Sequence, residues 1–526
     1  MKLRCGIKKV GASTVVLDMP TTRLAEVVTP ERYGAKGDGV TDDTTAIQEA
    51  INYVANAKLN VLYFPAAHYI FSKLYLHYDA TNNPDYPSDT YYQGRITLQG
   101  VGRSTKANYS NDKPIATILE SNDATGPAIY CNGDPLGADT NHTNQVQIRN
   151  LSIWVSNTTS AIQFDRVVQN SGFEQVYINQ AGSGSGIDWH TIWVGFLRDI
   201  RVDGGGKATS DTGIYLRNLA VGTPGGFIDM QTVIANDFGI GIQLGHKTYG
   251  TGGRLHSINM LNVQGGDATT GIVCGHGIDQ VNMIGSHMED CDVGLSVIMN
   301  AQAITMSGGS VVNSDVGLKL GDGTANGNRY RNIRIENVLL ISDAATTRLI
   351  DVYSSSNTKN LTIENVQFTG HASATDTAIY LEDVNHHNLR VISPKFGTNL
   401  TTEINKPERV QELVQEQSVI WRTVNTSGAL SAVPFNFCQD SSAGAQPVAL
   451  IKQRDGSEQF IEFEVPITPG DNLNAINTRT GDGAVVGPQA KLAANGWAFY
   501  GMIKMKINTS AGTKDLFLPL FESDLI

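Results

Sequence analysis

Apolar and polar residues alternate in short runs through most of the chain. Val146-Gln147-Ile148-Arg149-Asn150-Leu151-Ser152-Ile153, Ile333-Arg334-Ile335-Glu336-Asn337-Val338 and Leu361-Thr362-Ile363-Glu364-Asn365-Val366 are of strand length. Their pattern predicts strands buried on one face. Six further runs open on glycine: Gly186-Ile187-Asp188-Trp189, Gly213-Ile214-Tyr215-Leu216, Gly241-Ile242-Gln243-Leu244, Gly271-Ile272-Val273-Cys274, Gly294-Leu295-Ser296-Val297 and Gly317-Leu318-Lys319-Leu320. With glycines at 186, 213, 241, 271, 294 and 317 the intervals are 27, 28, 30, 23 and 23 residues. Met230, Met260, Met283 and Met306 follow one another at 30, 23 and 23, each 11 residues before one of the last four glycines. A repeat of roughly 20 to 30 residues, with Gly and Asn/Asp at its corners, is the pattern of a β-solenoid. One coil cannot bury its apolar face until a neighbour lies on it. At about 4.8 Å per coil, ten or so coils between residues 94 and 400 predict a rod of roughly 50 Å.

The ends read differently. Residues 1–26 lack periodicity and predict a short N-terminal attachment peptide, residues 27–400 the solenoid with its N-terminal cap, and residues 401–526 a separate β-rich module for trimerisation or carbohydrate binding. Pro407-Glu408-Arg409-Val410-Gln411-Glu412-Leu413-Val414 reads as a short helix. Phe460-Ile461-Glu462-Phe463-Glu464-Val465 and Met502-Ile503-Lys504-Met505-Lys506-Ile507 read as longer alternating strands of a sandwich-like module with no solenoid period. A different terminal domain also covers strand edges that an open coil end would expose.

Composition narrows the function. The 54 glycines suit a turn-rich all-β protein. A formal net charge of −12 argues against a phosphate-backbone binder, so nucleic acid is not an expected partner. No stretch has the apolar length to cross a bilayer, and no membrane insertion is expected. Met1-Lys2-Leu3-Arg4 is basic, but Lys8, Lys9, Gly11 and Ser13 interrupt the segment after it and Asp18 follows. Export by signal peptide is not expected. Five scattered cysteines without Cys-x-x-Cys spacing read as reduced thiols of a chain assembled in cytoplasm. No cofactor or metal is expected: His386 and His387 lie beside Glu382 and Asp383, but adjacent histidines on an extended chain point to opposite faces.

The most specific local motif is Tyr33-Gly34-Ala35-Lys36-Gly37-Asp38-Gly39-Val40-Thr41-Asp42-Asp43-Thr44-Thr45-Ala46-Ile47-Gln48. It leads into a helix with Ala46, Ile47, Ala50, Ile51 and Val54 on one face, capped by Thr41 or Asp42. A buried strand, Asn60-Val61-Leu62-Tyr63-Phe64-Pro65, and an early coil, Ile96-Thr97-Leu98-Gln99-Gly100-Val101-Gly102, follow. Turn and cap geometry accounts for Asp38, Asp42 and Asp43 without catalysis. Here the chain resembles the pectate-lyase-like superfamily of right-handed parallel β-helices, in which this Gly-Asp-Gly stretch and its helix cap the coil stack. Together with the absent export signal and the C-terminal module, it is similar to bacteriophage tailspikes and capsular polysaccharide depolymerases. That resemblance implies a virion protein, a homotrimer of parallel rods, joined to the phage tail or another receptor-binding protein through its N-terminal peptide. It would be assembled in host cytoplasm and act on a bacterial surface polysaccharide, capsule or O-antigen. The same fold hosts pectinases, epimerases and alginate-modifying enzymes.

Hydrolysis of a glycosidic bond needs one carboxyl group to assist the leaving group and a second to activate water or attack. On a solenoid such a pair can come from adjacent coils. Seven residues after each ladder methionine stand Asp237, Asp267, Asp290 and Asn313, which reads either as a catalytic column or as a ladder of corner Asx turns. The densest acid cluster is Ser286-His287-Met288-Glu289-Asp290-Cys291-Asp292. Glu289 and Asp267 are therefore the leading pair, with Asp290, Asp237 and Asp292 as alternates and His287 toward substrate. Asp188-Trp189-His190 is a second candidate: alternation turns Asp188 and His190 out and Trp189 into the wall. Trp193 and Tyr215 read as sugar platforms or trimer contacts. Lys247, Arg254 and His256 form a basic stretch that in a lyase would neutralise a uronate carboxylate, or else are solvated loop charges. Hydrolase, lyase and non-catalytic glycan-binding spike all remain open on these residues.

Overall fold

The computed structural model describes residues 27–405, apart from 88–94, 106–114, 124, 134–142, 157–159, 208–210, 220–224, 248–251, 299, 322–330, 343–347, 354–358, 372–375, 383–386 and 398; beyond 405 it describes residue 410 and, by backbone alone, strands between 412 and 520. The attachment peptide expected over 1–26 and the pair His386-His387 lie outside the described side chains. The architecture is a right-handed parallel β-helix. Contacts divide it into two units, Met1–Gln243 with Gly252–Leu255 and Leu244–Thr251 with His256–Ile526.

The first unit opens on helix α1 (Thr44–Asn56), which buries Ile47, Ala50, Ile51 and Val54 along one stripe. The aspartates before it are structural. Asp42 Oδ1 accepts from Thr44 N at 2.9 Å, and Asp38 accepts from Val40 N and Thr41 N at 3.0 and 2.7 Å. Asp43, 2% exposed, accepts from Lys36 N at 2.6 Å and Gly37 N at 3.0 Å and so ties the loop to the helix. Parallel strands then stack in register. One row comprises Leu74–Tyr75, Ile129–Asn132, Ile162–Asp165, Ile187–His190 and Thr212–Arg217. Another runs through Gln147–Val155, Ser171–Gln180, Gly195–Asp203 and Gly225–Asn236. Between the rows Phe164 and Phe173 stack with centroids 5.1 Å apart, and both meet Trp189 edge-on. Trp189 is fully buried, as the alternation predicts, and its Nε1 donates to Val167 O at 2.9 Å.

The second unit repeats the plan. Thr270–Cys274, Val293–Val297, Val316–Leu320, Arg348–Val352, Thr377–Leu381 and Thr402–Ile404 form one row. Met283 stands opposite Met306, and Met306 opposite Ile335, in another. The glycine ladder has a steric cause. A Cβ on Gly271 would stand 2.8 Å from Gly294 O, and one on Gly294 2.7 Å from Gly317 O. Backbones pass too closely there for any side chain.

Corners are made by single left-handed residues. In the first unit Asn150, Gln175, Asp199 and Thr232 hold φ of 54°, 53°, 52° and 53° at equivalent positions; in the second, Asn262, Gly285, Gly308, Asn337, Asn365 and Ser393 do the same. The ladder continues past residue 400. Glu412–Val414 is a strand, paired in parallel with His387–Ile392 through Val391 and Leu413. This corrects the helix expected over 407–414 for its last three residues, 412–414: Val410, Leu413 and Val414 carry a weak helical spacing, and the stacking edge of the preceding coil overrides it. Further on, Val448–Arg454 and Glu458–Glu464 form an antiparallel pair, as do Gly501–Thr509 and Gly512–Leu520, so the solenoid pattern has ended.

Candidate functional site

The outward face of the first-unit row Leu74 to Arg217 carries two side-chain columns. Tyr75, Tyr130, Gln163, Asp188 and Tyr215 are register partners, and so are Asn132, Asp165, His190 and Arg217. The coil-to-coil spacing thus sets Asp165 and Asp188 on adjacent strands, one on each edge of His190. Asp165 Oδ1 pairs with His190 Nδ1. Asp188 Oδ1 lies 2.7 Å from His190 Nε2. Arg217 Nη2 donates to Asp188 Oδ2 at 3.2 Å and lies 2.6 Å from His190 Nε2. The other oxygen of Asp165, Oδ2, accepts from Tyr130 Oη at 3.0 Å and Gln163 Nε2 at 3.1 Å. Side-chain exposure is 20% for Asp165, 14% for Asp188, 7% for His190 and 23% for Arg217.

Electrostatics assign the protons. Burial alone would lower the His190 pKa, but its hydrogen bonds with Asp165 and Asp188 outweigh burial and raise it above the ordinary value. Burial pushes the Asp165 carboxyl up, yet the donors His190 and Tyr130 leave it below the ordinary value. Burial, then the Asp165 charge, raises the Tyr130 phenol, which stays protonated and donates. Next to Tyr130, at 4.9 Å between ring centroids, His77 is driven by burial down to about 4 and is neutral. Asp165 and Asp188 therefore both favour the protonated ring of His190, and Asp165 holds its Nδ1 side. In the protonated ring Nε2 gives a hydrogen to Asp188, and only after that proton has left can Nε2 accept one from Arg217. The Asp188–His190 edge is where a proton can change hands. Arg217 also covers the Tyr215 ring, 4.2 Å from its centroid.

The other sequence candidates fall elsewhere. Asp237, Asp267, Asp290 and Asn313 hold φ of 62°, 46°, 55° and 55°, so each is a left-handed corner, and all but Asn313 are exposed. Asp290 Oδ1 accepts from Asn313 Nδ2 at 3.2 Å, as in an Asx ladder. Glu289, 45% exposed, is met by His287 Nε2 at 3.3 Å, and His287 Nδ1 lies 2.6 Å from Ser310 Oγ. Asp292 is half-buried, its N–H donating to Ala268 O. Trp193, half-buried, follows the Ile187–His190 strand. Arg254 is exposed, with its carbonyl accepting from Gly225 N, and His256 lies 3.2 Å from Ser257 Oγ. The structure brings together Asp188, His190 and Tyr215 from the sequence candidates and adds Asp165, Arg217, Tyr130 and Gln163. A signal for Asp165 existed. Ile162 pairs with Ile187, so Ala161 occupies the glycine position of its coil, and the fourth residue after that position is Asp165, His190 or Arg217 in successive coils.

The profile of the rhamnogalacturonase A/epimerase, pectate lyase-like family matches residues 28–296. That span is just over half of the 526 residues and contains the whole Asp165–Arg217 cluster. The chain belongs to this family. No curated protein sequence matches it. Among solved structures it is similar to PfbA, a surface adhesin of Streptococcus pneumoniae, with 13% identity over 72% of this chain and 91% of that one and a TM-score of 0.54. It is also similar to the A-module of Azotobacter vinelandii mannuronan C-5 epimerase AlgE6, with 17% identity over 71% and 100% and a TM-score of 0.48. ORF18 of Geobacillus virus E2 aligns with 12% identity over 94% and 86%, TM-score 0.39. These likenesses are likenesses of fold.

Proposed function

We propose that the chain binds and depolymerises a bacterial surface polysaccharide, capsule or O-antigen, as a homotrimeric phage tailspike, and that cleavage is endo-glycosidic hydrolysis at the Asp165–His190–Asp188–Arg217 cluster. The observation that carries this reading is the pair of carboxylates from adjacent coils flanking one imidazole. His190, whose protonated form Asp165 and Asp188 favour, gives a proton from Nε2 to the leaving glycosidic oxygen. As that C–O bond breaks, a water oxygen bonds to the anomeric carbon and Asp188, with Arg217 beside it, takes the water's proton. Asp165 touches no substrate in this scheme: all its donors come from the protein, and it holds His190 in place. Tyr75 and Tyr130, half-buried in the same column, give ring surface for neighbouring sugars, whereas Tyr215 is buried beneath Arg217 and is not a platform.

Incubation with a panel of purified capsular polysaccharides, followed by mass spectrometry of fragments, tests the proposal. The native chain releases fragments with new reducing ends, and Asp188→Asn and His190→Gln slow release by a factor of about a hundred or more. Normal rates in both variants would move the chemistry elsewhere. Arg217 favours one second reading, β-elimination on a uronate, because its guanidinium stands beside the proton-transfer edge and pairs with carboxylates. An unsaturated, ultraviolet-absorbing product would select it over hydrolysis. Light scattering on residues 1–416 tests the trimer: loss of the trimeric mass supports an assembly role for the C-terminal module, and an unchanged trimer removes that role.

A further inference from the structure

The second unit carries a built cluster on its own row of strands, around Asp351. Lys319 pairs in register with Asp351, and Asp351 with Tyr380. Arg348, on the Asp351 strand, donates from Nη1 to Asp351 Oδ2 at 3.1 Å. The guanidinium also lies over the Tyr380 ring, 3.7 Å from its centroid, and the Lys319 ammonium lies over the Tyr353 ring at 5.0 Å. Exposure is graded: the Asp351 side chain is 3% exposed and that of Arg348 41%. The other carboxylate oxygen, Asp351 Oδ1, is buried and has no hydrogen-bond partner among the described residues. A buried carboxylate oxygen without a donor is costly. Burial raises the Asp351 carboxyl even with Arg348 against it.

Each feature names a part of a ligand. Oδ1 has lone pairs for a hydroxyl donor. Arg348 has four N–H groups beyond the one given to Asp351, and with Lys319 it presents two cations to an anion. The two tyrosines keep those cations over their rings. A polar ligand with a hydroxyl next to a carboxylate satisfies all of these at once. We propose that Lys319, Arg348, Asp351, Tyr353 and Tyr380 form a second saccharide-binding site, selective for a uronic-acid residue that sets a hydroxyl on Asp351 Oδ1 and its carboxylate on Arg348 and Lys319. This site stands whether or not the first-unit cluster is catalytic.

Calorimetric titration tests it, with the full chain carrying Asp188→Asn to stop turnover. The probes are oligogalacturonate, oligomannuronate and a glucuronate-containing oligomer, each beside its carboxyl-reduced counterpart. At least one acidic oligomer binds, its reduced form binds about tenfold or more weakly, and Arg348→Gln and Lys319→Gln each weaken binding by a similar factor. Lys319→Gln leaves the Arg348–Asp351 pair intact, so it serves if Arg348→Gln lowers the melting temperature. Binding unchanged in both variants, equal binding of the reduced oligomers, or no binding of any acidic oligomer overturns the proposal. Binding here by a chain that cleaves no polysaccharide would support this site and remove the catalytic reading of the first.

Discussion

Replacing Asp165 by Asn removes a charge that favours the protonated ring of His190 while keeping the side chain's shape. In the native cluster the Asp165 carboxylate faces three donors: His190 Nδ1, Tyr130 Oη and Gln163 Nε2. An Asn has one acceptor oxygen, so its amide must turn an N–H toward a donor or give up one of the three. A hydrogen bond to a charged group contributes about 1.5–3 kcal/mol and a neutral one about 0.5–1.5, so the imidazolium loses roughly 1–2 kcal/mol. That is about a tenfold weaker hold on its proton. Burial, the largest influence on His190, then acts with less opposition. The expected outcome is that the alkaline limb of the pH–rate profile, where the general acid His190 loses its proton, and the NMR titration of the His190 ring both move to lower pH. The ring signal is assigned among the 11 histidines by its absence in His190→Gln. The stability linkage has a defined sign. The raised His190 contributes fully below the ordinary histidine value of 6.5 and loses its contribution as pH rises through the folded value. The lowered Asp165 contributes fully above 3.8 and loses its contribution as pH falls through its folded value. The cluster is thus most stable between 3.8 and 6.5, and Asp165→Asn flattens both limbs. Hydrogen exchange of the Ile187–His190 strand is the better stability measure, because stacked coils do not unfold as a single two-state unit. A His190 titration identical in native and Asp165→Asn chains would refute the positioning role.

Three further outcomes are expected. Glu289→Gln and Asp267→Asn keep turnover within about twofold if the first-unit cluster carries the reaction; a loss of about a hundredfold in either would return the site to the second unit. Gly294→Ala costs about 1–3 kcal/mol, read as faster exchange in its own and the next coil, because the new Cβ meets Gly317 O at 2.7 Å and Val311 Cγ1 at 2.3 Å; unchanged exchange there would show that the close approach is not what demands glycine. Asp43→Ala removes the acceptor of the Lys36 and Gly37 N–H groups; with Lys36 exposed and Gly37 half-buried, water replaces part of each bond and the loss is about 0.5–1.5 kcal/mol each. Limited proteolysis should then cut near 34–39, and resistance equal to the native chain would remove Asp43's role as a tie.

The stack was legible in the sequence because it obeys spacing. A Cβ meets close backbone at Gly186 and Gly213 in the first unit and at Gly271, Gly294 and Gly317 in the second, so glycine recurs there at coil spacing. The functional cluster was half legible. Asp188 and His190 follow from alternation, but Asp165 sits on the coil where Ala161 replaces glycine, and its importance depends on the Nδ1 edge of a histidine 25 residues later (190 minus 165). The Asp237–Asp267–Asp290 column attracted attention as carboxylates, while their backbone φ shows what the position asks for. Asp and Asn tolerate the left-handed region, so acids gather at corners for conformational reasons. Nothing in a single coil's pattern separates that demand from catalysis.

The stacking in register also sets how far apart in the chain touching residues lie. Val281 faces Ile304, 23 residues on (304 minus 281), and Ile333 faces Leu361, 28 on (361 minus 333). Against 526 residues these separations are short. Loop-closure entropy for each new coil is then nearly constant and small, and does not grow with the length already folded. A nascent chain can settle α1 and its first strands as they emerge and add later coils in order of synthesis. The C-terminal strands, with the antiparallel pairs Val448–Arg454/Glu458–Glu464 and Gly501–Thr509/Gly512–Leu520, stand outside that coil-by-coil order.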